Sequence, residues 1–195
     1  MKIYDISQEV FSCKVYPGDP EPKSESLCSM ENGDAYNLSA FSMCAHNGTH
    51  IDAPLHFIRG GRSVSDIPVE VFTGAAFVAK FDGEVGRDEA AIILKKAEIA
   101  GAGKRILIAG KAVVTSDGAR VFAKAKILLL GNESQTVGPE DAPMEVHKTL
   151  LGANVVLLEG IRLDGVEDGK YILSATPLNL GRLDGAPCRA ILIQK

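Results

Sequence analysis

Three of the four histidines in this 195-residue chain, His46, His50 and His56, fall within eleven positions, and Asp52 lies among them. Imidazole and carboxylate groups are common protein ligands of zinc and other divalent metal ions. A single histidine is most often a surface residue or a hydrogen-bonded core residue, but packing does not readily account for three of them beside an aspartate. The cluster therefore predicts a metal site.

The local sequence determines how these side chains could meet. An Asn-Gly pair, two β-branched residues and a proline oppose a helix across residues 46–54. We therefore expect extended backbone, in which the even-numbered residues share a face. A flat strand would separate His46 from His50 by roughly 13 Å, because each residue adds ~3.3 Å. Metal–nitrogen bonds are only ~2.1 Å long, so we expect a bend near Gly48, whose missing side chain also leaves space for an ion.

His56 follows Asp52 by four residues, and Pro54 between them redirects the chain. A neutral imidazole at this place could take a proton from water and pass it on, so we predict that His56 is a proton shuttle beside the metal site. Two alternatives remain open, namely that His56 is itself a ligand or that it hydrogen-bonds to the ligands. Cys44 also occupies an even-numbered position and could share the face of the histidines. A single cysteine is, however, explained by packing as a small buried hydrophobic residue.

Residues 46–57, with the sequence HNGTHIDAPLHF, resemble the HxGTHxDxPxHF motif of the cyclase family, which includes bacterial kynurenine formamidases and isatin hydrolases. Residues 16–19, 134–138 and 177–190 resemble further family segments, so the resemblance covers nearly the whole chain. It implies a metal-dependent hydrolase with a swivelling β/β/α-like fold. It also implies homodimers or homotetramers in which a neighbouring subunit completes the pocket, and a role for His56 as the proton shuttle.

In the family, a later histidine and a glutamate complete the metal site, and the resemblance assigns these roles to His147 and Glu159. His147 lies on the inward face of a predicted helix, where by itself it would be a core histidine. Glu159 ends an apolar strand, where a cation would compensate a buried carboxylate. The structural alternative for Glu159 is an ion pair with Arg162 or Lys148.

Five ligands exceed the four of a closed structural zinc site and suit an open catalytic ion or a two-metal centre. The family example favours two metal ions, and we expect two Zn²⁺ per subunit, although oxygen-rich sites also accept Mn²⁺. Hydrolysis of N-formyl-L-kynurenine to L-kynurenine and formate, the arylformamidase reaction, is the expected activity on a small-molecule substrate. The alternatives are hydrolysis of another cyclic amide or lactone, such as an isatin-like lactam, and a non-catalytic metal-binding protein.

Two departures from the family leave the substrate open. The chain has no tryptophan, and Tyr16 stands where the formamidases commonly carry one. The segment near residues 110–115 also looks shorter than the pocket-forming segment of relatives. Asp19 and Arg189 have ordinary explanations, as a turn former and an ion-pair partner, so neither enters the predicted catalytic set.

Composition narrows the class of protein. The chain is 46% hydrophobic and 24% charged, which suits one globular domain over residues 1–195. A net charge of −4 without a basic stripe argues against nucleic acid and anionic membrane surfaces as partners. The charged amino terminus lacks the apolar core of a signal peptide, and no stretch approaches the ~18 apolar residues of a membrane span. We therefore expect a cytoplasmic protein.

Hydrophobic periodicity predicts an α/β domain with a mixed β-sheet core, flanking helices and a β-rich N-terminal half. The first part of the chain reads as short strands and turns, with its longest strand over residues 36–46. Beyond it, strands and helices alternate. Helices are predicted over residues 87–100, 116–124 and about 140–151, and strands over residues 104–109, 126–130, 154–158, 171–173 and 189–193.

Overall fold

A mixed β-sheet forms the centre of the fold in the computed structural model, which describes residues 1–194. In chain order, the strands of these residues are β1 (Lys2–Asp5), β2 (Lys23–Cys28), β3 (Leu38–Ser42), β4 (His50–Asp52), β5 (Thr73–Lys80), β6 (Gly83–Val85), β7 (Arg105–Ala109), β8 (Ala112–Val114), β9 (Leu129–Asn132), β10 (Val156–Glu159), β11 (Gly169–Ser174), β12 (Gly185–Pro187) and β13 (Ile191–Gln194). The α-helices are α1 (Arg87–Ile99), α2 (Ser116–Ala125) and α3 (Met144–Gly152).

Nine of the described strands join in one sheet with the order β1-β13-β11-β5-β7-β9-β10-β4-β12. The central strands β5, β7, β9 and β10 are parallel, and the strands on both sides of them are antiparallel. All five residues of β7 and all four of β10 are buried. Continuous apolar runs of this kind are typical of parallel strands covered on both faces, and the buried side chains form two clusters.

The helices begin and end where local chemistry favours it. The Glu89 side chain accepts a hydrogen bond from the Gly86 backbone N–H at the start of α1, and Thr115 caps α2 by accepting one from Gly118. The helix predicted from about residue 140 begins only at Met144. Pro143 explains the difference, because a proline disfavours helical backbone at the residue before it.

The predicted strands are found near their expected places, with shifted ends. Lys126 has a φ of +52° and ends α2, so β9 starts at Leu129 rather than at residue 126. The strand predicted over residues 36–46 is reduced to β3, because the chain turns before the histidine cluster. The α/β class with a mixed sheet and flanking helices is confirmed.

Strands β2 and β3 form a hairpin that is separate from the main sheet. Most of its residues are exposed, including several large apolar ones: Leu27, Met30, Tyr36, Leu38 and Phe41. A two-stranded hairpin without packing on a larger core is marginally stable in water. Within residues 1–194, none of the helices is long and apolar enough to cross a membrane.

Candidate metal centre

Strand β4 carries the centre of the histidine cluster. It lies between β10 and β12, with His50 paired to Glu159 of β10 and to Pro187 of β12. His50 and Asp52 are two residues apart and therefore point to the same face of the sheet. The preceding residues turn rather than continue the strand, and Gly48 has a φ of +66°. This turn is the bend that the sequence predicts, and it returns His46 to the cluster.

Asp52 is the common neighbour of all the histidines in the cluster. Its side chain is 1% exposed, and its Oδ1 atom lies 2.7 Å from His46 Nδ1 and 3.4 Å from His50 Nε2. The other oxygen, Oδ2, lies 3.5 Å from His147 Nε2 and 4.0 Å from His56 Nε2. The two carboxylate oxygens thus face two different groups of imidazoles.

Glu159 faces one imidazole of each group. Its Oε1 atom lies 3.2 Å from His147 Nε2 and accepts a hydrogen bond of 2.8 Å from the Val137 backbone N–H. Its Oε2 atom lies 3.5 Å from His50 Nε2. The alternative ion pair with Arg162 or Lys148 is not formed by the described residues, because the Arg162 guanidinium donates to backbone carbonyls at positions 133 and 161.

The charges of this cluster suit a bound cation. Burial lowers the pKa of each of the three inner histidines, but the adjacent carboxylates outweigh it and raise the pKa to about 11 for His46, about 9 for His50 and about 10 for His147. Burial also opposes ionisation of Asp52, yet the neighbouring histidines hold its pKa well below the usual range. Two buried carboxylates therefore require positive charge, which either protons or a metal ion must supply. The donor set fits a divalent ion.

A polar network behind β4 fixes the orientation of His50. Its Nδ1 atom lies 3.1 Å from the Gly48 carbonyl oxygen, which also accepts a hydrogen bond from Gln135. Donation from Nδ1 leaves Nε2 free to face the two carboxylates. Thr49 donates to the Gly160 carbonyl over 2.7 Å and joins the turn to the end of β10.

His56 lies at the edge of the cluster, and its side chain is 28% exposed. Its ring stacks on that of His46 with centroids 4.0 Å apart and meets the Phe57 ring edge-on. Its Nδ1 atom lies 3.0 Å from Asp184 Oδ2. His56 is thus close to the ligand cluster but more accessible than the other three histidines.

Asp184 is the residue that sequence reasoning missed. Its Oδ2 atom contacts both His56 and His46, the latter through Nε2 at 2.9 Å. The hydrogen bond with His46 is the main reason why the pKa of Asp184 lies below its usual range. The available signal was an Asp-Gly pair within the closing family segment, but chain position alone does not place it beside histidines 128 and 138 positions away.

A cavity of about 400 Å³ opens over the cluster. The four histidines, Asp52 and Glu159 line it, together with apolar side chains that include Tyr16, Phe57, Pro143 and Met144. The acidic residues Asp19 and Asp141 also line it. This volume lies within the range of small-molecule sites.

The structure brings together all six residues that the sequence predicts for the site: His46, His50, Asp52, His56, His147 and Glu159. Two groups with ligand atoms close enough for one ion are His46 with Asp52 and His56, and His50 with Asp52 and Glu159. Cys44 stays apart, with its thiol 3.6 Å from Asp19. Arg189 pairs with Asp5 at the surface, as an ordinary ion pair.

A family model described as putative cyclase matches residues 4–142. The chain belongs to the cyclase family. A kynurenine formamidase from Bacillus anthracis is 32% identical over 206 residues, which cover 98% of this chain and 97% of the relative. A kynurenine formamidase from Salinibacter ruber is 31% identical over 206 residues, with the same coverage of 98% and 97%.

Solved structures share this fold over nearly their whole length. A structure described as a potential metal-dependent hydrolase with cyclase activity matches with a TM-score of 0.83 and 29% identity, over 98% of this chain and 96% of the other. Isatin hydrolase A from Labrenzia aggregata matches with a TM-score of 0.82 over 100% of this chain and 94% of the other, but at 21% identity it shows the shared fold alone. Together, the relatives support a hydrolase of the cyclase family.

Proposed function

We propose that this protein is a metal-dependent hydrolase of a small aryl amide, with N-formyl-L-kynurenine as the first candidate substrate and L-kynurenine and formate as the products. One observation carries the proposal: three imidazoles and two buried carboxylates converge at the base of a small cavity, with an accessible imidazole, His56, beside them. Relatives with 31–32% identity over nearly the whole chain that are named kynurenine formamidases favour the formamide.

The proposed ligands form two groups that share Asp52. His46 and His50 face Asp52 Oδ1, and His147 faces Oδ2. Glu159 faces His147 with one oxygen and His50 with the other, so it lies beside both groups. A carboxylate between two sets of donors could contribute to holding two ions. Imidazole and carboxylate donors favour zinc, and the share of oxygen donors would also accept manganese.

The chemistry divides between the cation and the chain. These residues would hold a divalent cation, which would supply activation of water near neutral pH and polarisation of a carbonyl oxygen. His56 is placed to accept a proton at Nε2 from the attacking water and then to donate it to the amide nitrogen that leaves. The apolar wall near Phe57 would hold an aromatic ring and keep water away from the rest of the substrate.

Two other functions use the same residues. A lactam or lactone hydrolase would need the same cation and the same proton carrier, so the substrate alone distinguishes it. A non-catalytic metal-binding protein would need the ligands but no accessible imidazole beside them. The position of His56 at the cavity wall therefore favours an enzyme.

The test is a substrate panel on zinc-loaded protein: N-formyl-L-kynurenine, a simple formanilide and isatin, with release of formate or opening of the lactam ring as the readout. Hydrolysis of the formamides in preference to isatin would support the proposal. Turnover of isatin alone would replace the formamidase by a lactam hydrolase. Bound zinc without turnover of any amide or lactam, in both the wild type and His56→Ala, would favour the non-catalytic protein.

We propose further that the protein is a homo-oligomer, a dimer or a tetramer, in which the β2–β3 hairpin contacts a second copy. The hairpin exposes Leu38 and Phe41, which are 44% and 62% accessible, and exposed apolar patches mark interaction sites. Sedimentation of the wild type should give a mass above that of one 20.7 kDa chain. The double variant Leu38→Ser/Phe41→Ser should give the mass of one chain, and a monomeric wild type would contradict the proposal.

A further inference from the structure

Asp184 lies between two imidazole rings that the proposed function uses in different ways. Its Oδ2 atom is 2.9 Å from His46 Nε2 and 3.0 Å from His56 Nδ1. We propose that Asp184 is a positioning residue that orients both rings, fixing His46 as a metal ligand and His56 as a proton carrier. This inference rests on the proposed function, because it gives Asp184 a part in the same site.

The contact with His46 is of the kind that orients metal ligands. His46 directs Nδ1 towards Asp52 Oδ1, 2.7 Å away, and its opposite nitrogen towards Asp184. Histidines that bind metal ions usually donate their other ring N–H to a carboxylate or a carbonyl, which fixes the tautomer and makes the ligand more basic. If a metal ion takes the place of the Nδ1 proton, donation from Nε2 to Asp184 would keep the remaining proton on Nε2 and hold Nδ1 towards the ligand cluster.

The contact with His56 determines which of its ring nitrogens carries the proton. When Nδ1–H of His56 donates to Asp184, Nε2 is left unprotonated, because the hydrogen bond of one ring nitrogen sets the protonation of the other. Nε2 lies 4.0 Å from Asp52 Oδ2 and therefore faces the cluster. This tautomer is the one that can accept a proton from water. Asp184 does not itself line the cavity, so it acts through the two rings.

The fold holds Asp184 in place by its backbone. Its carbonyl oxygen accepts a hydrogen bond of 2.9 Å from the Ala53 N–H, and the next residue, Gly185, pairs with Asp52 across β12 and β4. Neither contact uses the Asp184 side chain, which is 41% exposed. A side-chain replacement should therefore leave the strand pairing intact.

The experiment compares Asp184→Ala and Asp184→Asn with the wild type and with Asp164→Asn, which removes an exposed carboxylate elsewhere. Zinc affinity is measured by competition with a chelator, and the imidazole tautomers by ¹⁵N NMR. The His56 signals are assigned by their absence from His56→Ala, and with four histidines the spectrum is simple. Steady-state kinetics with the best substrate of the panel supplies kcat and KM.

Asp184→Ala should weaken zinc binding ~10–100-fold, as is typical when a residue that supports a metal ligand is lost. It should also give His56 a mixture of tautomers, and lower kcat with little change in KM, since Asp184 does not line the cavity. Asp184→Asn keeps an acceptor oxygen and should fall between the wild type and the alanine variant. Asp164→Asn should match the wild type in every measurement.

The inference fails if Asp184→Ala binds zinc as tightly as the wild type and leaves the His56 tautomer unchanged. A zinc-loaded wild type that turns over no amide or lactam would overturn the proposed function. The zinc affinity of Asp184→Ala and its His56 tautomer would still decide the role of Asp184. A wild type without zinc affinity would overturn the His46 half of the inference. The tautomer measurement would then still decide the His56 half.

Discussion

His50 and Glu159 lie directly opposite each other on the antiparallel strands β4 and β10, and His50 Nε2 is 3.5 Å from Glu159 Oε2. Because alternate residues of a strand share a face, the same register places Asp52 on the side of this pair. The candidate site is therefore part of the sheet pairing, and a slip by one residue would turn these side chains to the opposite face.

Replacing Glu159 by Gln tests the division of the ligands into two groups. The substitution keeps an oxygen for the Val137 N–H but removes the charge that faces His147 and His50. His147 then keeps only the Asp52 carboxylate beside it, whereas His46, His50 and Asp52 still face one another, so metal analysis should find one zinc per chain instead of two. Loss of all metal, or retention of both ions, would contradict this division.

Asp52→Asn should have the larger effect, because Asp52 faces both groups. We expect loss of both zinc ions and a fall in kcat/KM of more than ~100-fold, since losing even a residue that only supports a ligand costs 10–100-fold. Zinc content and turnover are measured on the same sample, with Asp164→Asn as the matched loss of one carboxylate. A variant that keeps two ions would show that the Asp52 carboxylate is not needed to hold them.

His56→Ala separates a proton carrier from a ligand. A positioned general acid and base contributes ~10²–10⁴-fold, so kcat should fall by this amount while the zinc content stays that of the wild type. If zinc is lost in parallel with activity, His56 is a ligand, as its place near His46 and Asp52 would also permit. Circular dichroism of the variant checks that the fold is retained.

Gly185→Ala should disturb the ligand cluster through packing alone. A Cβ atom at this position would lie 2.6 Å from His46 Cε1 and 2.7 Å from the Ile51 carbonyl oxygen. Overpacking of this kind costs about 1–3 kcal/mol in the free energy of unfolding, and displacement of His46 should weaken zinc binding. Gly152→Ala is the control, because its Cβ would meet only Ile58, at 3.7 Å. Equal stability of the two variants in urea would contradict the prediction.

The metal-free protein should lose stability as the pH rises. Despite burial, the neighbouring carboxylates raise the pKa values of His46, His50 and His147 from 6.5 to about 11, 9 and 10. A group whose pKa is raised in the folded state contributes its full stabilisation of the fold at pH values below its pKa in the unfolded chain. This contribution is lost as the pH rises through its pKa in the folded state. Urea midpoints of chelated protein should therefore fall between pH 6.5 and pH 9.5.

The zinc-loaded protein is the control for this pH dependence. Metal ligands must be deprotonated, so zinc binding strengthens as the pH rises. The gap in urea midpoint between loaded and chelated protein should therefore widen from pH 6.5 to pH 9.5. A chelated protein that is more stable at pH 9.5 than at pH 6.5 would contradict the charge balance of the cluster.

The sequence predicts the second half of the fold well, because the apolar residues of each element there repeat with the spacing typical of a helix or a buried strand. The strand of Arg105–Ala109 and the helix of Arg87–Ile99 are found within one residue of their predicted ends. The bend at Gly48 also follows from distance, since two histidines four residues apart cannot meet in a flat strand. Local chemistry is sufficient for these features.

The remaining features depend on contacts between distant residues, which no local pattern records. Strand β4 has only three residues, and its place between β10 and β12 comes from pairing with residues more than 100 positions away. Asp184 reaches His46 only because β12 pairs there. The separation of the β2–β3 hairpin from the main sheet could not be predicted either, since the sequence of a strand does not show which strands it pairs with.

Metal return to chelated protein tests the central claim most directly. Zinc per chain and release of formate from N-formyl-L-kynurenine would be measured on one sample before chelation, after chelation and after titration with Zn²⁺. The account predicts that chelation abolishes hydrolysis and that activity returns as the zinc content approaches two per chain. Hydrolysis that persists in the metal-free protein, or a protein that binds no zinc, would contradict it.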